Sequence, residues 1–413
     1  MTTIITMDGL IVPRSHWLSL GHSEMYAAAM EGLQLSLIEG ILKIKLHSAA
    51  SNIMLAVEGT SNPVQNSEKN ELHICIGKYS NVDELPEGLL MHDAALLPLW
   101  QQFVYAIHDL CRCKIVPNLR LLIANTELSC DLIDILVPAL KEAPLKRLTL
   151  HNNRLGSDGV VFVTRVLEAN PSITLLHISM NDIEYERCDD LLSLAKTASN
   201  HPNLGTFHLG SCSINNQVLS TILPPIFNLF QVDLRQSNIG SHGASLISSC
   251  LATNPKVRLL NLSDNSFSDD DATLIANSLR TNTHLMTLSL GGNNFTETGF
   301  NTLISAIYYD ESLNAIHDSN AMCELVLFKE GDVTPNGVDP SVLDLNEEGR
   351  KLEVKNSPAS MLTRCVKVAN GDTLTIRGLL WIAGSRRVKI LHALQAGGET
   401  GLFNMQYLKD VPV

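Results

Sequence analysis

Repetition at a single spacing constrains this chain more than any other feature. Leu145, Leu148, Leu150, Asn153 and Leu155 spell L-x-x-L-x-L-x-x-N-x-L. Val257, Leu260, Leu262, Asn265 and Phe267 repeat the pattern, as do Leu285, Leu288, Leu290, Asn293 and Phe295. Looser copies start at Leu119, Ile173, Leu204, Leu229 and Leu313, so successive starts lie 26, 28, 31, 25, 28, 28 and 28 residues apart. A chain that repeats one short pattern at one period folds as stacked units, each burying its apolar side against its neighbours.

Each unit reads as a strand followed by a helix. The alternation Leu148, Thr149, Leu150 sends one side chain inward and the next outward. Asn153 ends the strand, where an inward amide can bond backbone groups that the turn leaves unpaired. Val160, Val163, Val166 and Leu167 then recur at helical spacing until Asn170-Pro171 breaks the helix. Gly159, Gly243 and Gly299 stand four residues beyond the last template position, where a missing side chain lets the helix start close to its neighbour. Cys212 and Ser237 replace the asparagine in two successive units, so the weakest hydrogen bonding is expected near residues 209–240.

On these motifs the region 119–328 resembles the leucine-rich repeat, and a period near 28 with a full helix per unit is similar to its ribonuclease-inhibitor type. The resemblance implies an α/β solenoid, a horseshoe with a concave parallel sheet and convex helices. Three further stretches resemble uncharacterised repeat proteins of algal protists. They are Leu85-Pro86 through Trp100, Leu313 through Asn320 with Cys323, and Arg386 through Ile390. The helical repeat type also resembles the repeat domain of the Ran GTPase-activating protein, which makes a regulator of a small GTPase the alternative function.

The flanks divide the chain into three regions. Residues 1–118 read as an N-terminal α+β cap that covers the first repeat. Met25 to Ile38 and Leu96 to Leu110 have helical spacing, whereas Leu42–Leu46, Ile53–Val57 and Leu72–Ile76 alternate as strands do. Thr60 to Asn70 is polar and reads as a loop. Residues 329–413 read as a linker and a small C-terminal region. There Asn370-Gly371 marks a hairpin between Val366–Val368 and Leu374–Ile376, and Arg386 to Gln395 a helix.

Charge narrows the function classes. The net charge of −13 argues against nucleic acid or an anionic membrane surface as partner. Residues 119–328 hold 12 Lys/Arg against 21 Asp/Glu, while residues 329–413 hold 11 against 10, so the acidity belongs to the repeats and the front of the chain. Nine scattered cysteines without a paired framework point to a reducing compartment. Met1 to Leu10 lacks a basic start followed by an apolar run, so the cytoplasm, with the nucleus as alternative, is the expected location. Ser213 to Val232, though uncharged, coincides with a repeat unit and reads as a buried helix rather than a membrane span.

Outward positions of stacked strands form rows about 4.8 Å apart. The third template position gives Leu121, Arg147, Leu175, Thr206, Gln231, Leu259, Thr287 and Ala315. The fifth gives Ile123, Thr149, His177, His208, Asp233, Asn261, Ser289 and His317, and the seventh includes His151, Ser179, Gly210, Arg235 and Ser319. Arg147, His151, His177, His208, Asp233 and Arg235 therefore gather on the concave face as the candidate contact surface for a protein partner. The competing readings are a solvated polar surface and a metal or catalytic site. Zinc needs three or four ligands converging at about 2 Å, which adjacent strands rarely provide.

Other signals are weaker. His108, Cys111 and Cys113 lack the second ligand pair of a zinc site. Asp269-Asp270-Asp271 stands where a repeat helix begins, and acids there complement the helix dipole. No G-x-x-x-x-G-K-[ST], G-x-S-x-G or H-E-x-x-H string occurs. The expectation is a non-enzymatic interaction module or scaffold that needs no cofactor and no metal.

Overall fold

A computed structural model describes residues 10–57, 71–77, 94–113, 117–181, 188–212, 214–307, 323–327, 344–345 and 352–354. The chain divides into two compact units, Met1–Ser237 and Asn238–Val413. Both are built from parallel strands alternating with helices, the α/β solenoid architecture that the repeats imply.

In the first unit six strands pair in chain order and in parallel: β1 (Glu71–Ile76), β2 (Asn118–Ala124), β3 (Leu145–His151), β4 (Leu175–His177), β5 (Thr206–His208) and β6 (Gln231–Asp233). Five helices, α3 (Leu97–Cys111), α4 (Cys130–Glu142), α5 (Gly156–Ala169), α6 (Cys188–Asn200) and α7 (Asn216–Ile226), lie between or after the strands and pack each on the next. Two more precede them, α1 (Arg14–Ser19) and α2 (Glu24–Val57). The second unit holds α8 (Ser241–Ala252), β7 (Leu259–Asn261), α9 (Asp269–Thr281), β8 (Thr287–Ser289), α10 (Glu297–Ile307) and β9 (Glu324–Val326), its three strands again parallel. Beyond β9, β11 (Leu352–Val354) and β10 (Asp344–Leu345) continue the sheet antiparallel.

The template leucines make the core. Leu148, Leu150, Leu260, Leu262, Leu288 and Leu290 are all buried, none more than 2% exposed. At each strand end the residue just before the asparagine position adopts a left-handed backbone: Asn152, Met180, Ser211, Gln236, Asp264 and Gly292 have φ of 52°, 58°, 57°, 53°, 59° and 72°. Five of these carry side chains, for which that conformation is unfavourable. The inward amide holds the turn. Asn153 Nδ2 donates to the carbonyl of Ile123 (2.8 Å), and its Oδ1 accepts from Thr126 N–H (3.1 Å). Asn181 accepts from Asn153 N–H (2.8 Å) and donates to Leu150 and Ile178 carbonyls, both at 2.8 Å.

In the two substituted units a thiol and a hydroxyl stand where the amide does elsewhere. Cys212 Sγ donates to Ile178 O at 3.4 Å, and Ser237 Oγ donates to Arg235 O at 3.2 Å. The boundary between the two compact units falls directly after Ser237. At Gly159 a side chain would bring its Cβ within 2.7 Å of Leu155 Cβ, so this glycine does permit a close helix start. Ser268 caps α9 together with Asp271, whose carboxylate accepts from Ser268 N–H at 2.8 Å, so the Asp269–Asp271 run serves the helix start.

Three sequence expectations are corrected. Leu42–Leu46 and Ile53–Val57 are not strands; they belong to α2, because the buried set Met30, Leu33, Leu37, Ile41 and Ile44 follows helical spacing and overrides the local alternation. Leu72–Ile76 does form a strand and extends the parallel sheet by one position before the first template copy. In β2 a register shift between Leu119 and Arg120 places Arg120 opposite Arg147, so Leu121 and Ile123 point inward and are buried. Beside β8, where the template places residues 315–317, lies Glu324–Val326; Thr287 pairs with Glu324 and Leu288 with Leu325. Ala315, His317 and Ser319 lie outside the described residues, as do the loop at 60–70, the hairpin around Asn370-Gly371 and the helix at 386–395.

The core account predicts that Leu262→Ala lowers unfolding free energy by about 2–5 kcal/mol in urea titrations. Leu274→Ala, at an exposed position of α9, is expected to change it by less than about 0.5 kcal/mol.

Candidate functional site

The sheet face opposite the helices carries the predicted cluster, and it lies entirely within the first unit. Strand pairing aligns Thr149, His177, His208 and Asp233 in one row. His151, two residues past Thr149, turns its ring toward His177, with centroids 5.5 Å apart, and the His177 and His208 rings lie 4.9 Å apart. The backbone beneath is fixed by hydrogen bonds that continue past the strand ends. Ile178 N–H donates to His208 O (3.0 Å), Leu209 N–H to Asp233 O (2.9 Å) and Asn152 N–H to Ser179 O (3.1 Å).

At the far end of the row Asp233 is buried and Arg235 exposed. Arg235 N–H donates to Asp233 Oδ1 at 3.0 Å, and the Arg235 guanidinium Nε stands 3.4 Å from Asp233 Oδ2. Gly210 provides the room: a Cβ there would stand 3.0 Å from both Arg235 Cγ and the Arg235 carbonyl. The carboxylate and guanidinium thus form a fixed polar end to a row of three imidazoles.

Electrostatically the imidazoles are not cations. Burial pushes His177 down to about 3, reinforced by His208, His151 and Arg235. Burial likewise lowers His151, with Arg235 adding to the effect. For His208 burial again dominates; Asp233 acts against it and Arg235 with it, and the net direction is downward. All three rings are neutral near pH 7, each offering one donor and one acceptor nitrogen. His151 Nδ1, His177 Nε2, His208 Nε2 and the nearby Ser179 Oγ are buried with no hydrogen-bond partner among the described residues.

The structure therefore brings together His151, His177, His208, Asp233 and Arg235. Arg147 stands apart, exposed and in the preceding row with Arg120, Leu175, Thr206 and Gln231. Its neighbour Arg120, which the shifted register conceals from sequence reading, binds the Glu71 carboxylate at 2.6 Å. Ser179 was visible in the sequence as a seventh-position residue, but nothing there distinguishes it from a solvated serine.

Among the described residues no group of three His, Cys, Asp or Glu side chains converges as metal ligands. The His108–Cys111–Cys113 set disperses: His108 Nδ1 stands 3.3 Å from Glu142 Oε2, while Cys111 donates to Glu142 O and Cys113 to Asp109 O. Cys75, Cys111, Cys113, Cys130 and Cys250 form no disulfide. None of the described helices is long and apolar enough to cross a membrane.

These features define a strand–helix repeat protein, a class whose stacked side chains present an extended surface and which serves in general as an interaction scaffold. The chain carries leucine-rich repeats: the family model described as Leucine Rich repeat matches residues 253–276 and 281–299, both in the second unit. None of the curated proteins compared with the chain matches it.

The lowered imidazoles set a pH dependence. Between about 6.5 and about 3 the unfolded chain holds protons that folded His177 refuses, so stability is full above this window and falls as pH drops through it. His177→Gln, which cannot titrate, is expected to lose less unfolding free energy than the native chain between pH 7.5 and about pH 5. Equal losses in parallel urea titrations would show that His177 titrates normally.

Proposed function

We propose that the sheet face of the first unit binds a protein partner through His151, His177, His208, Asp233 and Arg235, with Arg147 at its margin. The observation that carries this reading is the row of buried ring nitrogens and the Ser179 hydroxyl without hydrogen-bond partners among the described residues. A polar atom held in that state costs about 1–3 kcal/mol, and a partner that supplies the complementary hydrogen bonds removes the cost. Arg235 adds a cation at the end of the row, which favours a partner carrying an acidic side chain there. The neutral rings add hydrogen-bond specificity rather than charge.

The repeats are proposed to be of the ribonuclease-inhibitor type, supported by units of 25–31 residues that each hold a full helix. Residues 1–118 are proposed as the N-terminal cap, residues 119–328 as the repeat domain and residues 329–413 as a separate C-terminal region. The cap reading is supported by the packing of α2 on β1 and α3. A non-enzymatic scaffold of the cytoplasm or nucleus is the function that fits these features best.

Affinity capture from the native cell, followed by titration calorimetry, tests the assignment. The double variant Arg235→Glu with His208→Ala is expected to lose binding by at least about tenfold while the thermal midpoint at pH 7.5 changes little. Normal binding by that variant, with loss instead in Arg165→Glu on α5, would move the interface to the helical side.

A further inference from the structure

Helix α2 is apolar on two opposite sides. Ala27, Met30, Leu33, Leu37, Ile41 and Ile44 are buried on one side, where the helix packs on α3 and β1. On the other side Met25, Leu35, Leu42 and Leu46 are 43, 60, 48 and 69% exposed. Ala28 and Ala49 are also exposed there, and Gly32 is half-buried.

The outer residues keep a seven-residue spacing in two rows. Ala28, Leu35, Leu42 and Ala49 form one; Met25, Gly32, Glu39 and Leu46 form the other, offset by three or four positions. This is the seam spacing of two helices packed side by side. Between residues 25 and 49 the seam runs for about 36 Å of helix. Scattered exposed leucines are ordinary, but an apolar seam interrupted by a single charge, Glu39, marks an interaction surface.

Shape and charge both single out a second copy of this chain as the occupant. The small residues Ala28 and Gly32 lie toward one end of the seam and Leu42 and Leu46 toward the other. Antiparallel pairing about a two-fold axis between Leu35 and Glu39 sets Leu42 against the partner's Gly32 and Leu46 against the partner's Ala28. It also sets Met25 against the partner's Ala49, so a large residue meets a small one at each of these levels. The charges divide in the same sense, with Glu24 and Glu31 in the first half and Lys43 and Lys45, beside Glu39, in the second. Glu31 lies 3.8 Å from Arg14 yet keeps a side chain 46% exposed, and the same alignment places it on the flank beside the partner's Lys45. A parallel pairing would set leucine on leucine and Glu39 on its own copy. Glu39, 2.6 Å from Lys43, occupies the charged seam position, and a polar seam residue fixes register at some cost in stability.

We propose that α2 is a self-association surface through which two copies of the chain pack antiparallel, leaving the histidine row of each copy free for another partner.

Sedimentation equilibrium of the full chain over a range of concentrations tests this. The native chain is expected to show a concentration-dependent dimer, and Leu42→Glu with Leu46→Glu a monomer with unchanged circular dichroism. Lys45→Glu is expected to weaken the dimer by at least about tenfold, and adding Glu31→Lys to restore it. A native chain that stays monomeric throughout overturns the proposal. So does a dimer that the leucine variants leave intact, or one that the charge swap fails to restore.

Discussion

The interaction on which the rest depends is the hydrogen bonding of the inward asparagine that ends most of the template strands. The residue before it, Met180 or Asp264 as readily as Gly292, takes a left-handed backbone. Such a conformation persists in residues with side chains only where the surroundings over-determine it. Asn153, Asn181, Asn265 and Asn293 do so with one side-chain amide each. Asn265 accepts from Ile239 N–H at 3.0 Å and Asn293 from Phe267 N–H at 3.2 Å, while their amide nitrogens donate to carbonyls at the strand ends. One side chain thereby links two units and closes a turn, which pure leucine packing could not do.

That closure dictates where chemistry resides. With the turn fixed, the inward leucines and outward polar residues of each strand cannot exchange faces without a register slip. The histidines of three successive units are consequently stacked at the strand spacing, and stacking desolvates them. Desolvation, more than any partner charge, then determines their protonation. The row is a set of neutral hydrogen-bonding groups ending in an Asp–Arg pair, different from the cationic patch that counting His and Arg would imply.

The template was legible wherever leucine and asparagine occupy every position, as in the units starting at Val257 and Leu285. The rows of the candidate site were legible for the same reason, since Thr149, His177, His208 and Asp233 align as the template requires. Three things were hidden. The shift at Leu119/Arg120 depends on backbone irregularity that leucine spacing does not encode. Leu42 and Leu46 alternate with lysines on the exposed side of a helix that is apolar on both sides, so local alternation imitated a strand. The lowered histidines follow from three-dimensional burial, which no spacing reveals.

The central claim is that the repeat scaffold desolvates the imidazole row and holds it neutral. NMR titration of the ring resonances, assigned by single His→Gln variants, measures this directly. The account predicts that all three rings titrate below the ordinary imidazole midpoint, and that His177 remains unprotonated at about pH 5.5. Three midpoints near 6.5 would contradict it and return the row to the status of a solvated surface.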